Sequence, residues 1–178
     1  MVALSHTLEA IGLRVVRFNF PYREAGSRRP DPMPVLKSSI ASVVSRVRNE
    51  NPGKLFIGGR SLGGRAASML AADGFACDGL LLFAYPLHPA GQPQKLRDAH
   101  LPKIQVPVLC FNGTRDPLCT KDLMDAAAKG PAWEMHWLEG ADHSFHVLKS
   151  SGRTDRDVLA EVGAVTAAWL KAAPASPR

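Results

Sequence analysis

The chain has 178 residues, 46% of them apolar and 21% charged, ordinary values for one soluble globular domain. That composition excludes a disordered, collagen-like or low-complexity chain, and no apolar run reaches the roughly 18 residues of a membrane span. The net charge of +6 is uneven, with 11 Lys and Arg against 4 Asp and Glu in residues 1–65 and 11 against 12 in residues 66–178. A basic first third could attract nucleic acid or an anionic ligand. There is, however, no basic helix with interleaved aromatics, no zinc-finger spacing and no RNA-binding aromatic signature, so a solvated basic surface and no nucleic-acid partner are expected.

In chain order, Leu4, Leu8 and Ile11 recur at helical spacing and Gly12 ends that helix. Leu13 to Phe20 reads as a strand stopped by Pro21, followed by a Pro- and Arg-rich loop. Val35 to Val47 is a helix, and Leu55 to Ile57 a short buried strand running into Gly58 and Gly59. Ser61 to Ala72 is a small-residue helix, Leu80 to Tyr85 an apolar strand, and residues 86–104 irregular. The strand Val106 to Phe111, a helix over 120–128 and the strand Trp133 to Leu138 follow. Thr154-x-x-Asp157 resembles a capping box that opens a last helix. Strands alternating with helices predict a mostly parallel sheet covered on both faces, in one domain over residues 1–172 with a flexible tail at 173–178.

The start of the chain lacks the charged region, apolar block and cleavage site of a signal peptide. Cys77, Cys110 and Cys119 are odd in number and show no CxxC, which predicts reduced thiols and a cytoplasmic protein.

The motif Gly59-Arg60-Ser61-Leu62-Gly63 is a GxSxG. Alone it is weak, since about one chain in ten of this size and composition would carry it by chance. Its place between an apolar strand and a helix is what matters. A tight strand-to-helix turn needs small neighbours, lifts the serine hydroxyl clear of the sheet and aims helix N-terminal amides at it. A serine hydroxyl is a poor nucleophile without a base. Asp116 follows the strand VLCFNG in the turn NGTRDP, and His143 follows the strand EMHWLEG in the loop GADHS. Each interval fits one helix plus one strand, so three strand ends supply Ser61, Asp116 and His143. Among the rivals, Asp122 and Asp125 read as solvated helix residues, Asp142 as a loop-orienting group and His136 as structural within its strand. His146 lies three residues into the next segment. His88 and His100, in the irregular loop, are candidates to line a pocket. Arg60, Tyr22 and Arg23 are candidates for substrate contact, while Arg60 and Arg65 also suit structural ion pairs. Cys119, near Asp116, reads as a bystander.

The runs GGRSLGGR, NGTRDPLC and GADHSFH, with GLRVVRFNFPY and RRPDP ahead of them, resemble the α/β-hydrolase superfamily. The likeness is greatest to its small, lidless, dienelactone-hydrolase-like predicted hydrolases, although true dienelactone hydrolases use a cysteine nucleophile. The resemblance implies a three-layer α/β-hydrolase fold with Ser61 as nucleophile, His143 as general base and acid, Asp116 as the orienting carboxylate, and the Leu62 amide in the oxyanion hole. It does not identify a substrate; the ordered set of Ser61, Asp116 and His143 is what points to a serine hydrolase of small acyl esters or thioesters, with no metal or organic cofactor and no membrane expected. The resemblance also implies strands and an HGxG loop ahead of Leu4, and one strand between the VVRFNF and LFIG segments. The sequence holds none of these, so the resembled fold is truncated at its N-terminus. A start codon assigned too late, a fragment, and a reduced form with weak or no catalysis all stay open. The expected consequence is either a gap or direct pairing between those two segments. The alternative function is an inactive hydrolase-fold binding module, whose unpaired sheet edges invite association, including between copies of the chain.

Overall fold

The computed structural model describes residues 1–50, 53–130 and 132–172. The expected flexible tail at 173–178 lies outside the described residues. The elements are α1 (Val2–Ala10), α2 (Pro21–Glu24), α3 (Met33–Glu50), β1 (Phe56–Arg60), α4 (Leu62–Ala72), β2 (Gly79–Phe83), β3 (Val108–Gly113), α5 (Lys121–Ala127), β4 (Trp133–Leu138) and α6 (Asp155–Ala172). The four strands form one parallel sheet in the order β1-β2-β3-β4.

Alternation along the two central strands divides the core. Leu80, Leu82, Val108 and Cys110 face the cluster that contains Leu36 and Ile40 of α3 and Ala67 and Leu70 of α4. Leu81, Phe83, Leu109 and Phe111 face the opposite cluster, with Leu4 and Leu8 of α1 and Val158, Val162 and Trp169 of α6. Side chains of a strand point alternately to its two faces, and both faces here are covered, so β2 and β3 are apolar without a break. This is the expected three-layer arrangement. The box at the start of α6 is formed: the Thr154 hydroxyl and amide both donate to Asp157 Oδ2 at 2.8 Å, and the Asp157 amide donates to Thr154 Oγ1 at 3.2 Å.

The strand expected over Leu13–Phe20 is absent from the sheet. Its β-branched and aromatic residues favour a strand only where a partner edge is within reach. Between it and β1 lies a cavity of about 490 Å³, with Leu13, Val15 and Arg17 on its lining together with Phe56, Ile57 and Gly58. Of the two expected consequences, the gap is the one realised. Val16 and Phe18 stay 47% and 41% exposed, and Pro21 opens a single helical turn where a loop is expected. Among the described residues no helix is long and apolar enough to cross a membrane.

Candidate active site

Three loops at the C-terminal ends of β1, β3 and β4 meet above the sheet. The first is the turn from β1 into α4. Ser61 stands between them with φ 53° and ψ −119°, a backbone conformation side chains rarely adopt, held by its amide donating to the Phe83 carbonyl at 2.8 Å. The turn closes because strand and helix touch: a Cβ on Gly64 would stand 2.6 Å from the Gly59 carbonyl oxygen, whereas Gly63 faces open space. The second glycine of the motif is therefore not the one the packing requires; its neighbour is.

The second loop carries Asp116, 6% exposed. Its carboxylate accepts from the Leu118 amide at 2.8 Å on Oδ1, and on Oδ2 from Asn112 Nδ2 at 3.3 Å and His143 Nδ1 at 2.8 Å. Asn112, fully buried at the end of β3, also clamps the end of β2, taking the Tyr85 amide on Oδ1 at 3.0 Å and donating to the Tyr85 carbonyl at 3.1 Å.

The third loop carries His143. Asp142 Oδ1 accepts the amides of Ser144 at 2.6 Å and His146 at 3.1 Å, the orienting part expected of it. An ionised carboxylate only accepts, so His143 Nδ1 carries the proton and Nε2 is left as an acceptor. Ser61 Oγ lies 2.9 Å from Nε2 and donates to it. Serine hydroxyl, imidazole and buried carboxylate thus form one unbroken hydrogen-bond path. Such a path can take a proton from Oγ while the carboxylate steadies the imidazolium. The amide of Leu62, in the first turn of α4, has no intrahelical acceptor and lies beside Ser61 at the positive end of the helix.

Ser61 and His143 open on a cleft of about 510 Å³ that also exposes Phe18, Phe20, Tyr22 and Leu62. Tyr22 is thus on the cleft wall. Arg23 is exposed and lies off that wall. Arg60 lines the cleft, but its Nη2 donates to the His143 carbonyl at 2.6 Å, and its buried Nε has no hydrogen-bond partner among the described residues. The ion pairs expected of Arg60 and Arg65 do not form among the described residues. Burial, with the nearby Arg97 charge adding to it, holds the Arg65 pKa below its usual value.

The remaining histidines are placed elsewhere. His88 accepts the Thr120 amide on Nε2 at 3.0 Å and donates from Nδ1 to the Pro89 carbonyl at 2.9 Å, away from the cleft. His100 Nε2 meets Ser68 Oγ at 2.8 Å and Tyr85 Oη at 3.3 Å behind α4, where burial and the Arg65 charge pull its pKa down to about 4. Neither lines the cleft. His136 pairs with Glu161, and His146 with Asp155. Burial and the neighbouring Asp116 charge push the Cys119 thiol well up, which suits a bystander. The described residues contain no cluster of three or more His, Cys, Asp and Glu that could hold a metal ion.

A model of the alpha/beta hydrolase domain matches residues 1–171. The chain belongs to the α/β-hydrolase family. Solved structures of similar shape carry the same fold. A serine hydrolase homologue from Coxiella burnetii is 21% identical, with a TM-score of 0.67 over 92% of this chain and 72% of that one. A lidless α/β serine hydrolase from Xanthomonas campestris is 22% identical, with a TM-score of 0.68 over 99% of this chain and 74% of that one. An esterase domain from Rhodothermus marinus is 19% identical, with a TM-score of 0.65 over 97% of this chain and 80% of that one.

Two features of this hydrolase-family site escape a reading of the sequence. Asn112-Gly113 has the composition of a turn, yet Asn112 is a buried clamp; its signal is a polar residue closing an unbroken apolar strand. Phe18 and Phe20 look like strand residues, yet they line the cleft with Tyr22; the signal is three aromatics at alternate positions.

Proposed function

We propose that this chain is a serine hydrolase that cleaves small acyl esters or thioesters through an acyl-enzyme. The observation that carries this reading is the hydrogen-bond path from Ser61 Oγ through His143 to the buried Asp116, opening on a cleft. His143 Nε2 takes the hydroxyl proton as Ser61 Oγ attacks the carbonyl carbon. The negative charge that develops on the carbonyl oxygen faces the Leu62 amide and the N-terminus of α4. His143 then gives its proton to the departing alcohol or thiol. Water, deprotonated by the same nitrogen, releases the acid and restores Ser61. Asp116 holds the tautomer throughout. The esterase domain of similar fold supports an ester as substrate.

A fluorophosphonate probe tests this directly. It labels Ser61 in the native protein, and Ser61→Ala abolishes the labelling. A folded protein whose serine is never labelled overturns the reading. A second reading, an inactive interaction module, is favoured by one observation: among the described residues β1 pairs with β2 alone and its outer side faces the 490 Å³ cavity. Stable self-association in light scattering, together with no turnover of short esters, would favour it over the hydrolase.

A further inference from the structure

We infer that the cleft selects esters bearing a planar aromatic group close to the scissile carbonyl. This rests on the hydrolase reading for the word ester, and on the cleft wall for the word aromatic.

The wall beside Ser61 is built of rings. Phe20 and Tyr22 are nearly parallel, with centroids 6.3 Å apart and planes 16° apart. Phe18 meets Phe20 edge-on, at 5.4 Å and 82°. All three line the same cleft as Ser61 and His143. Phe18 is 41% exposed, and Phe20 and Tyr22 are only partly buried, so ring surface is open to a ligand. Val16, Ile40 and Leu62 extend the apolar lining.

The polar side of the cleft is spare. Among the described residues Arg60 is the only Lys, Arg, Asp or Glu side chain on it, and its Nη2 is engaged by the His143 carbonyl. A cationic acyl group would lose its hydration with no carboxylate among the described lining residues to replace it. A straight alkyl chain would gain area but not ring geometry, whereas an aromatic ring gains both, since offset and edge-on ring pairs are favourable beyond their buried area. The cleft of about 510 Å³ is of a size for a small aryl ester.

Binding to the Ser61→Ala protein by calorimetry reads the wall without turnover. Two matched pairs separate the acyl from the alcohol side: ethyl cinnamate against ethyl 3-cyclohexylacrylate, and benzyl acetate against cyclohexylmethyl acetate. In at least one pair the aromatic member binds about threefold to tenfold tighter. Phe20→Leu and Phe18→Leu, each in the Ser61→Ala background, bring that ratio towards one; Phe18, the more exposed, is the safer variant for folding. Equal binding within both pairs, or a ratio untouched by both Leu variants, overturns the inference. Fluorophosphonate labelling of the native protein reports separately on the hydrolase reading: an unlabelled Ser61 with the aromatic ratio intact removes the ester chemistry and leaves the aromatic cleft.

Discussion

Arg60 Nη2 donates a hydrogen bond to the carbonyl oxygen of His143 across 2.6 Å, tying the residue before Ser61 to the residue that holds its proton acceptor. The two lie 83 positions apart in sequence and on different strand ends. The arginine thus fixes the distance between the two loops on which the proposed proton transfer depends.

Arg60→Ala is therefore expected to act on geometry. A displacement of about 1 Å between reacting groups costs roughly a hundredfold in rate. With a small acetyl ester, kcat falls about tenfold to a hundredfold while KM changes little. Arg60→Lys recovers part of kcat, because an ammonium can still reach the carbonyl but lacks the fixed fork. Steady-state kinetics on the three proteins reads this out.

Asn112→Leu should be among the costliest single changes in the chain. It leaves the buried amide of Tyr85 without its partner, takes one of two donors from the Tyr85 carbonyl, which keeps the Leu87 amide, and removes one donor from Asp116. A stranded buried group costs about 1–3 kcal/mol, so a loss of about 1–3 kcal/mol is expected in denaturant unfolding.

The glycines after Ser61 should respond oppositely to alanine. Gly64→Ala forces a methyl to within 2.6 Å of the Gly59 carbonyl oxygen, so the strand-to-helix turn must open. Stability falls by about 1–3 kcal/mol and the rate of Ser61 labelling falls with it. Gly63→Ala meets no atom within 4 Å and keeps or raises the thermal midpoint, since alanine favours helix by up to about 1 kcal/mol.

His100 should make the fold acid-sensitive. Its folded pKa of about 4 lies below the unfolded value of about 6.5. Between those values the unfolded chain binds the extra proton and the folded one does not, so stability is complete above about pH 6.5 and declines as the pH falls towards 4. His100→Gln should flatten that part of a stability profile measured by denaturant midpoint against pH.

Much of the fold and site was legible in the residues alone. Apolar runs such as LLLF and VLCF have the period of buried parallel strands, Thr154 and Asp157 form a local box, and Ser61, Asp116 and His143 each follow such a run. These are local patterns, and a strand-to-helix turn presents its serine whatever lies far away. Leu13 to Phe20 went the other way. Its propensity asks for a sheet, but pairing needs a second backbone edge, and that edge lies across a cavity.

The sequence by itself determined the alternation of layers and the order of serine, acid and histidine, because side-chain period and turn chemistry act over a few residues. Only the tertiary structure decided that the 13–20 segment walls a cleft instead of joining the sheet. It also turned Arg60 towards a loop carbonyl and made Asn112 a clamp. Those outcomes depend on which backbone groups and rings arrive from distant parts of the chain, and a buried donor, acceptor or ring takes the partner that folding brings to it.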